Sequence, residues 1–420
     1  MWTMILAELK KYVFNRKVTV VFLLALTVFI NKLYMYDATT NQQYFDGGSI
    51  AMRDKTIAYC KNRQISATVI DNDFRESTAK EYRAYIDKYR ASDQKIAAFI
   101  KELESDDTLE SVLANRYNYD NEILMVGGEE NATETNAPLL ADKIGYIKTT
   151  KHLVEDVRED NKYTYHPLSE TQLQQKEQMI QKNLVDKPII GGYSLGVDYL
   201  ISMNQFLPFT LGFVLLACFY RMFAQEKKRR TDAMIMTCRY GKKRYIYSKL
   251  LTVFFVTTVL WLIFQIVNLI GCQLVYGLEG WNVTFNLSFS VSPYGLTYLE
   301  TYLCRMPFSY FGTLAFAYLI SLLSQCTRSI PTMLTGLVFI VVTSWVVYPY
   351  DNYTLLNKIQ LLLPTQIMSG WNIFREYNAY EIFGVNILYP SIAGIAIAVY
   401  LVVFLIGIFL LMRNRQIKNG

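Results

Sequence analysis

Six stretches of this sequence carry no Asp, Glu, Lys or Arg: Val18–Asn31, Tyr199–Tyr220, Leu250–Leu278, Met306–Thr327, Ser329–Tyr350 and Ile382–Met412. A helix that crosses the hydrocarbon core of a bilayer needs about 20 mainly apolar residues, and it satisfies its own backbone donors and acceptors there. Five of the runs reach that length. The first reaches it through Tyr36, with Lys32 placed to snorkel to the interface. A composition of 52% hydrophobic and 15% aromatic residues excludes an ordinary soluble domain. The expected fold is an all-α polytopic membrane protein with six transmembrane helices.

Charge then orients the spans. Lys10, Lys11, Arg16 and Lys17 precede the first, Arg328 separates the fourth from the fifth, and Arg413, Arg415 and Lys418 follow the sixth. The stretch Arg221–Lys249 holds ten Lys/Arg against two acids, whereas Asp37–Asp198 holds 28 acids against 20 bases. The positive-inside rule puts both termini and the basic connector in the cytosol and the acidic segment outside; the expected location is the plasma membrane. The expected divisions are an amphipathic interfacial helix at 1–16, a first span at 17–36, an extracellular helical domain at 37–198 and a second span at 199–222. A cytosolic loop at 223–249 and four further spans within 250–420 complete the chain. The first span could also be read as a signal peptide, but no A-x-A-like site follows it, which favours an uncleaved anchor.

The N-terminal residues Trp2, Ile5, Leu6, Leu9 and Val13 share one arc of a helical wheel, with Glu8 and Lys11 facing away. Such a helix can lie flat among lipid headgroups, separated from the first span by a break at Asn15–Lys17. In the outer domain, Tyr82, Tyr89, Ile96 and Leu103 recur at intervals of seven, with apolar neighbours between them. Ile144, Ile147, Val154 and Val157 mark another helical stripe, and Ser169 with Gln172 has capping-box spacing. These stripes suit helices packed within one domain better than an intermolecular coiled coil, because fewer than four clean heptads are present. VGGEENATETNAP, Val126–Pro138, reads as a polar loop.

Motifs of catalysis are missing from the sequence. The two histidines, His152 and His166, are not at metal-ligand spacing, and no GxSxG, HExxH or GxxxxGK[ST] occurs. The spans hold no carboxylate of the kind that relays protons. The chain is therefore not expected to be an enzyme, nor to carry a metal or cofactor, nor to bind nucleic acid. Gln265, Asn268 and Gln273 in the third span either bond to neighbouring helices or line a polar part of a substrate path. Cys272 and Cys304 are close enough to the outer face to pair, though thiols of this kind usually serve packing.

The basic connector has internal order. Thr231 or Asp232 can cap a short helix over Ala233–Tyr240, with Gly241 as its C′ residue and Met234, Ile235 and Cys238 forming an apolar face. A short helix with an exposed soft apolar face suits docking to a partner. The plainer reading, a basic anchor on anionic lipid, explains the charge but not the apolar helix within it.

This connector resembles the loop between the second and third spans in permease subunits of type-2 ABC exporters. That loop begins with Glu, continues through Gly-Thr and Leu-Leu-Ser/Thr to Pro and Ser-Arg, and ends at Lys. Glu226, Thr231, Ile235-Met236, Thr237, Lys242 and Lys249 match it without a gap. The family's glycine is Arg230 here and its proline is Arg239, so the turns of the loop differ. The order of amphipathic helix, one span, outer domain and five spans matches as well. The resemblance implies a coupling helix that docks on a separate cytosolic ATP-binding subunit, which carries ATP and Mg. It also implies a second permease copy or a homologous one, and a re-entrant segment near 355–375 in which Pro364 and Trp371 mark an interface. The expected function is export of an amphipathic or hydrophobic substrate. The alternative from another class is a non-transporting receptor whose outer helices bind a ligand and whose basic loop recruits a signalling partner.

Overall fold

The N-terminal segment folds as two helices, α1 (Trp2–Tyr12) and α2 (Arg16–Thr40), bent by 67° at the intervening break. The bend is local chemistry. Asn15 Oδ1 accepts the Lys17 N–H at 3.2 Å and so satisfies one of the unpaired donors that open α2. The computed structural model describes residues 2–40, 68–78, 80–81, 150, 153–154, 157–158, 161–162, 167–229, 241–285, 292–345 and 355–413. The chain divides into two compact units.

The first unit comprises Met1–Thr39, Tyr199–Val275 and Tyr302–Gly420. Four helical stretches are long and apolar enough to cross a membrane: Leu195–Lys228, Arg244–Val275, Tyr298–Cys326 and Tyr389–Arg413. They become five if the bent pair at the N-terminus counts as one span. The sequence-based count of six also needs the run Ser329–Tyr350, whose helix is described only over Ser329–Trp345 and is shorter than the others.

In detail, the second sequence run is not one straight helix. The stretch around it is assembled from the helix Leu195–Ser202, a 3-10 turn at Met203–Phe206, the helix Leu207–Phe219 with Pro208 in its first turn, and, beyond the run, the short helix Ala224–Arg229. For chain order, Glu170–Ile180 is α3 and these three helices are α4, α5 and α6. The later helices are α7 (Gly241–Val275), α8 (Tyr298–Cys326), α9 (Ser329–Trp345), α10 (Leu355–Leu361), α11 (Pro364–Ser369) and α12 (Tyr389–Arg413). Small residues let these helices approach closely, as apolar solvent favours. A Cβ added at Gly336 of α9 would lie 2.4 Å from Leu216 of α5, and one at Gly312 of α8 only 2.6 Å from the backbone of Met368 in α11. Phe29 of α2 meets Phe264 of α7 edge-on at 5.3 Å.

Between α9 and α12 the sequence suggested a re-entrant helix. The segment contains two short helices, α10 and α11, followed by a hairpin of β3 (Ala379–Ile382) and β4 (Val385–Leu388) that sequence analysis did not anticipate. Its two-residue loop, Phe383-Gly384, has φ of 51° and 77°, which fits the twist of a tight hairpin. Arg305 of α8 holds the preceding turn: its Nε donates to the Ile373 carbonyl at 2.6 Å and its Nη2 to that of Trp371 at 3.0 Å.

The second unit comprises Thr40–Asp198 together with Tyr276–Thr301. Ser169 forms a full capping box with Gln172 at the start of α3, as the spacing predicts. Leu173, Ile180 and Leu184 pack with Ile70, Phe74, Val157 and Ile189 into one core, against which Val154 rests. The strand Thr68–Val69 (β1) pairs antiparallel with Ile190–Gly191 (β2). The segment after α7 joins the same unit. Ile190 and Thr284 exchange hydrogen bonds at 2.9 and 3.0 Å, and Asn183 donates to the Pro293 carbonyl at 3.1 Å. The outer boundary at residue 198 therefore leaves out part of this unit, because a boundary drawn along the sequence cannot show a segment that returns a hundred residues later. The stripe from Tyr82 to Leu103, the loop Val126–Pro138, Ile144, Ile147 and both histidines lie outside the described residues.

Candidate functional site

The ends of the basic connector meet. Glu226, the third residue of α6, is 2% exposed, and Lys249, on the third turn of α7, is fully buried. The Lys249 ammonium lies 2.9 Å from Glu226 Oε1. It also donates to Glu8 of α1 and, at 3.3 Å, to the Met222 carbonyl. Its three protons thus face three acceptors, which is the full complement of an ammonium group. The aromatic rings of Tyr12, Tyr245 and Phe223 surround it at 4.7, 5.4 and 5.7 Å, placing π-faces where water would otherwise be.

Glu226 is satisfied in the same way. Its Oε1 accepts from Lys11 Nζ at 2.6 Å and from the Tyr12 hydroxyl at 3.1 Å, and its Oε2 accepts from the Tyr245 hydroxyl. Tyr245 and Lys249 are four residues apart on α7, so they present one face to the carboxylate. Two carboxylates and two ammoniums make the cluster formally neutral. Burying a charge costs far less when it is paired and hydrogen-bonded, whereas stripping one partner from such a group costs about 3–5 kcal/mol. Both carboxylates lie beyond the uncharged runs. Burial pushes the Glu226 carboxyl up, but Lys249 and the donors from Lys11 and Tyr245 outweigh it and hold the group below its ordinary value. Burial raises Glu8 above its ordinary value against the pull of Lys249.

A second anchor holds the turn that carries Glu226. The Ser324 hydroxyl of α8 accepts from the Phe223 and Ala224 N–H groups at 3.1 and 3.2 Å and donates to the Tyr220 carbonyl at 3.1 Å. Those groups would otherwise be unpaired where α5 ends and α6 begins. Lys227 adds a bond to the Gln325 carbonyl. Helices α1, α5, α6, α7 and α8 are thereby tied together around Glu226.

The sequence reading of α1 is corrected by this arrangement. Glu8 turns inward to Lys249, and Lys11, though 38% exposed, carries its ammonium to Glu226 beside buried Ile5 and Tyr12, while Leu6 is 59% exposed. The hydrophobic wheel errs because a neutral network can be buried, and apolarity alone does not register that. Glu8, Lys11, Tyr12 and Tyr245 were missed as site residues, yet a signal existed. Glu8 is the lone acid in the first 36 residues, and Glu226 the lone acid between Asp198 and Asp232. A single carboxylate amid many cations is a natural partner for one that becomes buried.

Of the other predicted site residues, Thr231, Met234, Ile235, Met236, Thr237 and Cys238 lie outside the described residues, as does the side chain of Lys242. Gly241, expected as the C′ residue of a helix over Ala233–Tyr240, is instead the first residue of α7. Gln265 Nε2 donates to Asn204 at 3.1 Å, and Asn268 Nδ2 to the Leu200 carbonyl at 2.8 Å, so both bond α7 to the second run. Gln273 is exposed. Cys272 and Cys304 are free thiols. Among the described residues no group of three His, Cys, Asp or Glu could hold a metal ion. Comparison with protein-family models, curated proteins and solved structures found no match.

Proposed function

We propose that this chain is the transmembrane permease subunit of an ATP-driven exporter of the type-2 ABC kind. In this reading it has six spans and both termini in the cytosol of the plasma membrane, and residues 37–198 form an extracellular domain. It works with a second permease copy or a homologous one. A separate cytosolic subunit binds ATP and Mg, and the substrate moved outward is amphipathic or hydrophobic.

The observation that supports this best is the joining of Glu226 and Lys249. They are the first and last residues of the loop that resembles a coupling loop, and they close on each other inside a cluster that also grips α1. A loop pushed by a partner moves its span only if its ends are stiffly attached; a flexible attachment would absorb the displacement. Here both ends belong to one buried ionic network, so a push on residues 230–240 reaches α5, α7 and α1 together.

The test is to purify the complex formed by the wild-type chain and by Met234→Ala/Ile235→Ala and to measure how much ATP-binding subunit each retains. Removing several buried methylene-sized groups at about 0.8 kcal/mol each weakens binding roughly fiftyfold. Full retention with unchanged transport-coupled ATP hydrolysis would reject the coupling assignment. Orientation is tested separately: a cysteine replacing Ser105 should react with an impermeant thiol reagent in whole cells, and one replacing Lys10 should not.

A further inference from the structure

We infer that the elbow between α1 and α2 is a binding site for a phosphate-bearing amphiphile, supplied by an anionic phospholipid. A cavity of about 480 Å³ opens there, within the usual size range of ligand pockets. Its lining is divided by chemistry. Val21, Phe213 and Leu337 make an apolar wall from α2, α5 and α9, while Lys17 and Arg221 supply positive charge beside the amide groups of Asn15 and Gln225.

Lys11, also in the lining, is engaged by Glu226. Lys17 and Arg221 are different: both are exposed, and neither has a carboxylate partner among the described residues. The Arg221 guanidinium rests on the ring of Tyr220 at 4.8 Å, which keeps its donors free for an oxyanion. A lining that combines two cations with branched and aromatic hydrocarbon matches a lipid headgroup and the first part of its chain. The elbow lies where the uncharged run of α2 begins, at the level at which headgroups meet apolar helices. A free phosphate would use the cations and leave the apolar wall in water.

The test uses the full chain in detergent, with native mass spectrometry counting bound phosphatidylglycerol, phosphatidylcholine and, in competition, inorganic phosphate. One phosphatidylglycerol should be retained at concentrations where phosphatidylcholine is lost. Lys17→Gln/Arg221→Gln should weaken that binding by about tenfold or more, because two charge-assisted contacts disappear. Lys10→Gln/Arg16→Gln makes the same charge change outside the cavity and should leave it within about twofold. Leu337→Trp keeps every cation and fills part of the cavity from its apolar lining, and should also cost about tenfold. The two variants alter different walls, so a folding defect in one leaves the other to decide. The proposal is overturned if both charge pairs weaken binding equally, if Leu337→Trp binds like the wild type, or if inorganic phosphate displaces the lipid completely.

Discussion

Lys249 and Arg305 are both buried cations of the first unit, fully and to 95% respectively, and they are held by different means. Lys249 sits between two carboxylates that come from α1 and α6. Arg305 reaches the peptide carbonyls of Trp371 and Ile373 with its planar fork. The charges around Lys249 can be subtracted one by one, and each subtraction leaves an unbalanced ion in a low-dielectric site. The carbonyls around Arg305 require a particular backbone path, and that path includes left-handed conformations at Gly370 and Phe374, each with φ of 62°. A clamp of charges joins segments and is sensitive to its members; a clamp on carbonyls shapes one loop.

The largest effect that could break this comparison is loss of Glu226. Glu226→Ala leaves Lys249 and Lys11 without their shared acceptor and should destabilise the chain by about 3–5 kcal/mol, read as a lower melting temperature in a fixed detergent. Replacing the pair together, Glu226→Met with Lys249→Met, also takes Lys249 from Glu8, so it should not restore the wild-type value but should cost clearly less than the sum of the two single replacements. Additive losses in that double variant would show that the two ions do not act as one unit.

A smaller and more local effect is expected at Arg305. Arg305→Lys keeps the charge but loses the fork, and should cost about 1.5–3 kcal/mol. Faster amide exchange should be confined to residues 355–388, with α1 unaffected. Spread of the effect to α1 would mean that the two clamps are coupled.

Acidification separates the two carboxylates of the first clamp. Folding holds Glu226 below its ordinary value, so its stabilisation is present above that value and is lost as pH falls through the lower, folded one. Glu8 is raised, so its contribution is present below its ordinary value and is lost as pH rises through the folded one. Glu8 therefore takes up its proton first. Glu8→Gln should remove this first step from the pH profile of α1 amide exchange and lower neutral-pH stability by less than Glu226→Ala does, because Gln still offers Lys249 an acceptor and Lys249 keeps its pair with Glu226. A profile identical to wild type would place Glu8 outside the cluster.

The smallest effect on folding should come from Leu6. Because it is 59% exposed, Leu6→Asp should shift stability by only about 0.5 kcal/mol while weakening adsorption of α1 to lipid vesicles. Lys11→Ala should lower the melting temperature more than Leu6→Asp does. The opposite order would restore the plain amphipathic-wheel reading of α1.

Local chemistry was readable in the sequence wherever the cause lies within a few residues. The uncharged runs, the break at Asn15 and the Ser169–Gln172 capping box are of this kind, because hydrogen bonds and hydrophobicity there depend only on near neighbours. Glu226 and Lys249 could be named in advance from the resemblance of their loop, but not their meeting, nor their partners. Glu8 and Lys249 are 241 residues apart, and Lys11 and Glu226 are 215 apart. The inward face of α1, the return of Tyr276–Thr301 to the second unit and the grip of Arg305 on Trp371 and Ile373 share that character. Burying an ion is unfavourable until its counter-charge and donors arrive from elsewhere in the chain, so only the assembled tertiary structure decides which charges go inside.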